Sequence, residues 1–305
     1  MTDNQGCGHE SCRGRRGGGG GGGARLIDAR MPELARCLTL FQHVHAITGG
    51  PAARIDQAGP YAVPTLRGEA FAIHQGAITL RVDPAGIAAA LIARDEDAVA
   101  LRLLDRAGRT VHQGQLLSEG DRLLAGLAPT VEAGASREGW PPPPPEVPPT
   151  WQRGDQLAQL DALLTDDAGI ARRTAFHEYR GGAYRPIEVE VVASVLDHVC
   201  SVGLPIGVAV FAPSTMQACA GKVHVTDRTA GGRVFAAVAD SSLELDMTSV
   251  RACHLVRSTA PHGPTSALEL DDENGRCVAV ITQFGMVGED VHAAWEHLAE
   301  SLPDA

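Results

Sequence analysis

Residues 267–278 read ALELDDENGRCV and carry the pattern of a β-hairpin. Apolar residues alternate with polar ones up to Leu270, an acidic stretch ending in Asn274-Gly275 follows, and a second apolar run begins at Val278. Asn-Gly between alternating apolar runs is the strongest short-range hairpin signal, because both residues tolerate positive φ. The stretch therefore predicts two antiparallel strands joined by a turn at Asn274-Gly275.

The same phrase occurs in the first half of the chain. Residues 100–111 read ALRLLDRAGRTV and match the first stretch at seven positions, with Asp105 aligned to Asp272. The match extends upstream, where residues 72–80 are similar to residues 237–245. A repeat with this spacing indicates a duplicated domain and not a short-period solenoid.

The pattern of apolar residues defines the fold class. Apolar positions recur at helical spacing near 32–40, 157–164, 186–202 and 291–302, and strand-like runs lie between these segments. Runs of antiparallel strands bracketed by helices are typical of α+β proteins. We therefore predict a tandem repeat of two domains, each a large antiparallel sheet (a meander) with flanking helices.

Two low-complexity segments mark the domain boundaries. Glycine is unbroken over residues 17–23, which cannot bury a core, and the run PPPPPEVPP over residues 141–149 favours an extended, semi-rigid spacer. A docking site for a proline-reading module is the alternative reading of that run. The predicted organisation is a disordered Gly-rich tail (1–30), a first domain (31–130), a Pro-rich linker (131–153) and a second domain (154–305).

Composition limits the partners and the compartment. The formal net charge is −11, with 26 Lys and Arg against 37 Asp and Glu, which argues against nucleic-acid binding. The seven cysteines are odd in number and mostly lie in apolar runs, as expected for reduced thiols of a cytoplasmic protein. No apolar run is long enough to span a bilayer, so we expect no integral membrane segment.

The N-terminal tail contains the only compact cluster of thiols and imidazole. Cys7, His9 and Cys12 could hold a soft metal ion, but their spacing is not a usual zinc pattern and no fourth ligand is evident. We interpret the cluster as incidental. His177-Glu178 is not followed by a second histidine at helical spacing, so it is no zinc-protease motif either.

Several short motifs occur in a recognisable order. They include VHAIT at 44–48, LR at 80–81 and HLVR at 254–257. In this order, and together with the internal repeat, they resemble the HemS/HmuS/ChuS family of cytosolic haem-utilisation proteins over roughly residues 32–302. The resemblance implies two stacked antiparallel sheets, with haem bound in a cleft beside the first helix of the second half. It also implies partners such as a haem importer or a haem oxygenase.

The resemblance implies site residues as well. Arg81 and Arg172 match family positions near the porphyrin, although each can also be read as a surface or ion-paired arginine. The family's ligand histidine opens the first helix of the second half, and that helix, DQLAQL at 155–160, has none. His177 follows Arg172 and is flanked by Tyr179, so it becomes the candidate iron ligand. Further candidates are His43, His45, His224, His254 and the pair Tyr184-Arg185.

The functional hypothesis is a cytoplasmic haem-binding protein of haem and iron utilisation. Two activities stay open: reductive, oxygen-dependent degradation that releases iron, and transport of intact haem. Because this sequence departs from the family at the site, one alternative function of another class stays open. In that alternative the HemS-like fold has lost haem binding and acts as a protein-interaction module.

Overall fold

The computed structural model describes residues 23–27, 31–66, 72–94, 98–128, 156–165, 184–260, 263–284 and 287–305. Within these ranges lie five helices and a 16-stranded sheet, an α+β architecture as predicted. The helices are α1 Met31–Leu40, α2 Glu119–Leu127, α3 Gln156–Thr165, α4 Val191–Val202 and α5 Glu289–Ser301.

The strands divide evenly between the two halves of the chain. The first half contributes β1 Ala24–Ile27, β2 Val44–Gly49, β3 Ala53–Gly59, β4 Thr65–Leu66, β5 Thr79–Val82, β6 Ile87–Arg94, β7 Val99–Asp105 and β8 Thr110–Leu116. The second half contributes β9 Tyr184–Ile187, β10 Pro205–Ala212, β11 Thr215–Arg228, β12 Arg233–Val238, β13 Ser241–Asp246, β14 Val250–Ala260, β15 Gly263–Asp272 and β16 Cys277–Thr282.

The two halves order their strands in the same way. The first half runs β1-β6-β7-β8-β2-β3, and the second runs β9-β14-β15-β16-β10-β11. All of the ladders are antiparallel except the short pair of β4 with β5. Most neighbours in each half are therefore sequential, as in a meander.

The halves are joined by two strands that pair across the boundary. Strand β13 of the second half lies beside β3, with Leu243 opposite Ile55. Strand β5 of the first half lies beside β11, with Leu80 opposite Gln217. Each half thus lends one strand to the other, and the whole array is one continuous sheet.

The predicted hairpin forms between β15 and β16, but its turn differs from the expected one. Gly275 donates its N–H to the carbonyl of Asp272 at 3.0 Å and has φ +72°, whereas Asn274 does not adopt positive φ. The Asp272 carboxylate accepts from the N–H groups of Asn274 and Arg276. This side-chain cap favours a three-residue loop that ends in a left-handed glycine over a two-residue Asn-Gly turn.

The first-half hairpin, between β7 and β8, has the same construction. Gly108 has φ +76° and donates to the carbonyl of Asp105 at 3.0 Å, while the Asp105 carboxylate accepts from two backbone N–H groups. A register shift follows Leu103 in one hairpin and Leu270 in the other. The sequence match between these stretches is therefore also a match of turn and bulge.

In both halves an arginine on the outermost strand caps the helix that ends that half. The pairs are Arg25 with the carbonyls of Ala125 and Ala128, and Arg185 with those of Ala299 and Leu302. The last carbonyls of a helix have no partner within the helix, so these guanidinium groups satisfy them.

One helix boundary was predicted wrongly. The apolar pattern placed the second-half helix at about Pro186, but residues 184–187 form β9, and α4 begins at Val191. Pro186 lacks a backbone N–H, which is tolerated on a strand at the edge of a sheet. Gly203 ends α4 as predicted, with φ +67°.

The apolar cores also cross the boundary between the halves. The large second-half core includes Ala53 and Ile55 of β3, and the first-half core includes Ala212 of β10. A third, smaller cluster lies under α3. The packing of the two halves is therefore shared and not confined to each half.

A buried chain of hydrogen bonds lies where the halves meet. His112 is within 2.7 Å of the Tyr61 hydroxyl through Nε2 and within 2.6 Å of the Thr48 hydroxyl through Nδ1. Thr48 donates its only hydroxyl hydrogen to Oε1 of Gln217 on β11, at 2.8 Å. Thr48 must then accept from Nδ1–H, so His112 accepts from Tyr61 at Nε2. The chain needs His112 to be neutral.

We predict that His112 makes the protein acid-sensitive. Burial lowers the pKa of His112 to about 3, below its usual value of about 6.5. The unfolded chain therefore binds one proton more than the native protein between these values, and stability falls as pH falls. From about pH 6.5 to about pH 5, His112 should cost roughly 2 kcal/mol of unfolding free energy.

Urea unfolding across this pH range measures the effect. The His112→Gln variant should show a smaller loss of stability with acid than the wild type, and His198→Gln on the exposed face of α4 serves as the control. Equal pH slopes for wild type and His112→Gln would contradict the assignment.

Candidate functional site

The face of the second-half sheet opposite α4 and α5 carries α3. Its leucines, Leu160, Leu163 and Leu164, are buried against the strands. The side chains beneath them are small or flat: Ala209, Phe211, Met216, Ala218, Ala267, Cys277, Val280 and Phe284. We call this surface the α3 floor. It lies beside the first helix of the second half, where the resemblance places a cleft.

Glycine keeps part of the α3 floor flat. The ring of Phe284 lies directly over Gly207, where an added Cβ would come within 2.2 Å of the Phe284 ring. Cross-strand partners continue the small residues, since Ala209 pairs with both Ala218 and Val280. The sheet therefore presents an apolar surface of mostly small side chains, with the rings of Phe211 and Phe284 among them.

Arg81 lies at one end of the α3 floor. It sits on β5 opposite Met216 and is only 2% exposed. Its Nε and Nη2 donate to the two carboxylate oxygens of Asp161 on α3, at 2.5 and 2.7 Å, and its Nη1 donates to the Thr65 hydroxyl at 2.9 Å. The fork of the guanidinium is thus filled by an acidic side chain of α3.

The ion pair between Arg81 and Asp161 also holds α3 in place on the sheet. A buried arginine is strongly destabilising when its partner is removed, because its charge is then left without compensation. Asp161 meets the guanidinium in the bidentate geometry that gives such pairs their strength. Arg81 therefore fixes α3 to the sheet.

The opposite end of the α3 floor is polar. His254 and Glu269 are cross-strand partners on this face, and Glu269 is only 1% exposed. Nδ1 of His254 is 3.2 Å from a carboxylate oxygen of Asp271, and the His254 ring lies 5.4 Å from that of Tyr184. The floor thus runs from a buried arginine to a buried group of carboxylates and imidazole.

The structure places the sequence-derived candidates in different regions. Arg81 lies on the α3 floor, whereas His177, Arg172 and the tail cluster of Cys7, His9 and Cys12 lie outside the described residues. Of the other candidates, His43 is near Asp121 and His45 near Asp56, both in the first half. In the described part of the chain no group of three or more His, Cys, Asp or Glu side chains is placed to hold a metal ion.

Sequence reasoning missed Asp161, Glu269 and Asp271. Glu269 and Asp271 lie on β15 at positions that the apolar alternation marks as facing solvent. Glu269 and Asp271 are buried in the sheet, and Asp161 is partly buried by its contact with Arg81. A signal for Asp161 existed, since it lies between Leu160 and Leu163 on the apolar stripe of α3.

A surface cleft lies away from the α3 floor. It has a volume of about 570 Å³ and lies beneath the end of α5, lined by Arg185, Leu255, Arg257, Glu300, Leu302, Pro303 and Asp304. Its arginines are already engaged, Arg185 with Asp304 and Arg257 with Glu300.

None of the helices in the described ranges is long and apolar enough to cross a membrane.

Comparison with known proteins identifies the fold. No protein-family model matches the sequence, and no curated protein matches it. Among solved structures, the haem-degrading enzyme ChuS of Escherichia coli O157:H7 superposes with a TM-score of 0.73 and 18% identity, covering 92% of this chain and 86% of ChuS.

A second solved relative supports the same conclusion. PhuS, a haem-binding protein from Pseudomonas aeruginosa, matches in its apo and holo forms with a TM-score of 0.69 and 18% identity, covering 92% of this chain and 87% of PhuS. The resemblance inferred from the sequence is confirmed for the fold. The low identity agrees with a divergent member of this fold.

Proposed function

We propose that this chain is a haem-binding protein of haem utilisation that works in the cytoplasm. The observation that carries the proposal is the α3 floor, an apolar surface of mostly small side chains ending at an arginine, in a fold shared with PhuS and ChuS over 92% of the chain. A fold alone does not determine a function, so the floor and its charges have to support the chemistry.

The α3 floor fits part of what haem requires. Haem is a flat apolar disc that carries two propionates, and proteins bind it with apolar walls, an axial ligand to iron and cations for the carboxylates. The floor supplies a wall, and Arg81 supplies a cation, although Asp161 occupies it. Helix α3 contains no histidine, so it lacks the ligand that the family carries on this helix. His254, at the other end of the floor, lies beside Asp271.

The iron ligand and the second cation of the proposed haem site are assigned from the sequence. We assign His177 as the iron ligand and Arg172 as a second cation for the propionates, with Arg81 as the first. In this assignment haem is the cargo of the protein. The absence of the family's ligand histidine on α3 favours transport over degradation, and a haem importer or a haem oxygenase would then deliver or receive the haem.

One observation favours a second function. Helix α3 packs directly on the floor, and its Asp161 neutralises Arg81, which together close the position that a porphyrin would take. A protein that keeps this contact permanently would have the fold without the haem. Its surface or its proline-rich segment would then bind another protein.

We predict that the purified protein binds haemin stoichiometrically with a shifted Soret band. The His177→Ala variant should weaken binding by at least about tenfold, since the loss of an axial ligand removes the strongest single contact. Absorbance titration measures both, with His198→Ala on the exposed face of α4 as the matched control.

The other outcomes discriminate among the hypotheses. A saturable band that His177→Ala leaves unchanged would retain haem binding and reject His177. Absence of any band beyond free haemin would favour the protein-interaction function. Decay of the band with ascorbate in air would indicate degradation instead of transport.

We also propose that the chain is a tandem repeat of two domains, predicted at residues 31–130 and 154–305 and joined by the Pro-rich linker 131–153. Strand β1 pairs with β6, so the first domain begins within the predicted tail 1–30. The shared strand order, the matched hairpins and the two arginine-capped helices support a duplication. Because β5 and β13 pair across the boundary, the domains should depend on each other for stability.

A cleavable linker tests this dependence. With a protease site inserted beside Glu146, cleavage should give two fragments that stay together in gel filtration, because separating them breaks two strand pairings and exposes shared core. Two fragments that separate and each unfold cooperatively would contradict it.

A further inference from the structure

We propose that the Asp161 carboxylate competes with a carboxylate of the ligand for Arg81. Its carboxylate occupies a seat that Arg81 and Thr65 form, so that a ligand carboxylate and α3 cannot both be bound there. The inference rests on the proposed haem binding and adds a requirement on the ligand. The ligand must carry a carboxylate that replaces Asp161 at Arg81.

The seat is a complete carboxylate site. Arg81 presents Nε and Nη2 as a parallel pair to the two oxygens of Asp161, and Thr65 holds the remaining Nη1 from behind. Arginine uses this bidentate geometry to recognise carboxylates in general. A propionate can therefore make the same two hydrogen bonds that Asp161 makes.

The seat cannot be left empty. Arg81 is only 2% exposed, whereas the Asp161 side chain is 17% exposed. If α3 moved away without a replacement, a buried positive charge would stay unpaired, which is strongly unfavourable. An incoming carboxylate removes that penalty and a neutral ligand does not. The ion pair therefore couples the release of α3 to the charge of the ligand.

Helix α3 is short. It is ten residues long, and an isolated helix of that length is marginal in water, so docking maintains it. Three buried leucines, Ala162, the buried Gln159 and Asp161 face the rest of the molecule. A segment held in this way can exchange between docked and released states more easily than a central strand.

The reactivity of the Cys277 thiol can show whether α3 is docked, and this measurement needs no ligand. It is 5% exposed and belongs to the apolar cluster that α3 covers. Release of α3 should expose its thiol to an alkylating reagent, and peptide mass spectrometry separates it from the other cysteines. Labelling of Cys277 therefore measures docking, whereas the haemin Soret band measures ligand binding.

Three variants of the full chain test the proposal. Asp161→Asn keeps the shape and removes the charge, so Cys277 labelling should rise about tenfold and haemin should bind about tenfold more tightly. Replacing both Arg81 and Asp161 with Leu restores apolar docking and removes the seat, so Cys277 should stay protected and haemin binding should not improve. Asp197→Asn on α4 breaks the exposed ion pair with Arg228 of β11 and is the matched control.

Porphyrins without iron test the requirement on the ligand. Protoporphyrin IX, which has the carboxylates and no metal, should raise Cys277 labelling in the wild type, and its dimethyl ester should not. Unchanged labelling in Asp161→Asn would overturn the competitor role even if haemin binds. Faster labelling in Asp161→Asn without haemin binding by any variant would overturn both the ligand assignment and the proposed function.

Discussion

The pairing of β5 with β11, and of β3 with β13, is the constraint on which the rest of the structure depends. It turns two similar halves into one continuous sheet and makes their cores interpenetrate. It also places Arg81, a residue of the first half, on the α3 floor of the second. Without this exchange Arg81 and Asp161 would belong to separate units, and α3 would lose the ion pair that holds it.

The local parts of the fold were predictable because they are encoded at short range. The hairpins at residues 267–278 and 100–111 are closed by the same local hydrogen bond from a glycine N–H to an aspartate carbonyl. On α1, Leu34, Cys37 and Leu38 are buried, as their helical spacing indicates. The start of α4 was wrong, because β9 takes its place through pairing with β14. That pairing joins residues far apart in sequence, which periodicity does not reveal.

The candidate site was harder to predict than the fold for the same reason. Arg81 follows from a resemblance in the sequence, but its partner Asp161 lies eighty residues away on an element that only the tertiary structure brings near. The buried chain from Tyr61 through His112 to Gln217 has the same origin, since each member comes from a different strand or loop. Polar residues at alternating positions read as solvent-facing until the opposing layer is known.

If haem binds on the α3 floor as proposed, its iron must lie over that surface. Crystals of the protein grown with haemin, measured at the iron absorption edge, give that position from anomalous scattering. We predict an iron peak over the α3 floor, on the face opposite α4 and α5. An iron peak on the other face, or no peak from crystals of the haemin-saturated protein, would contradict it.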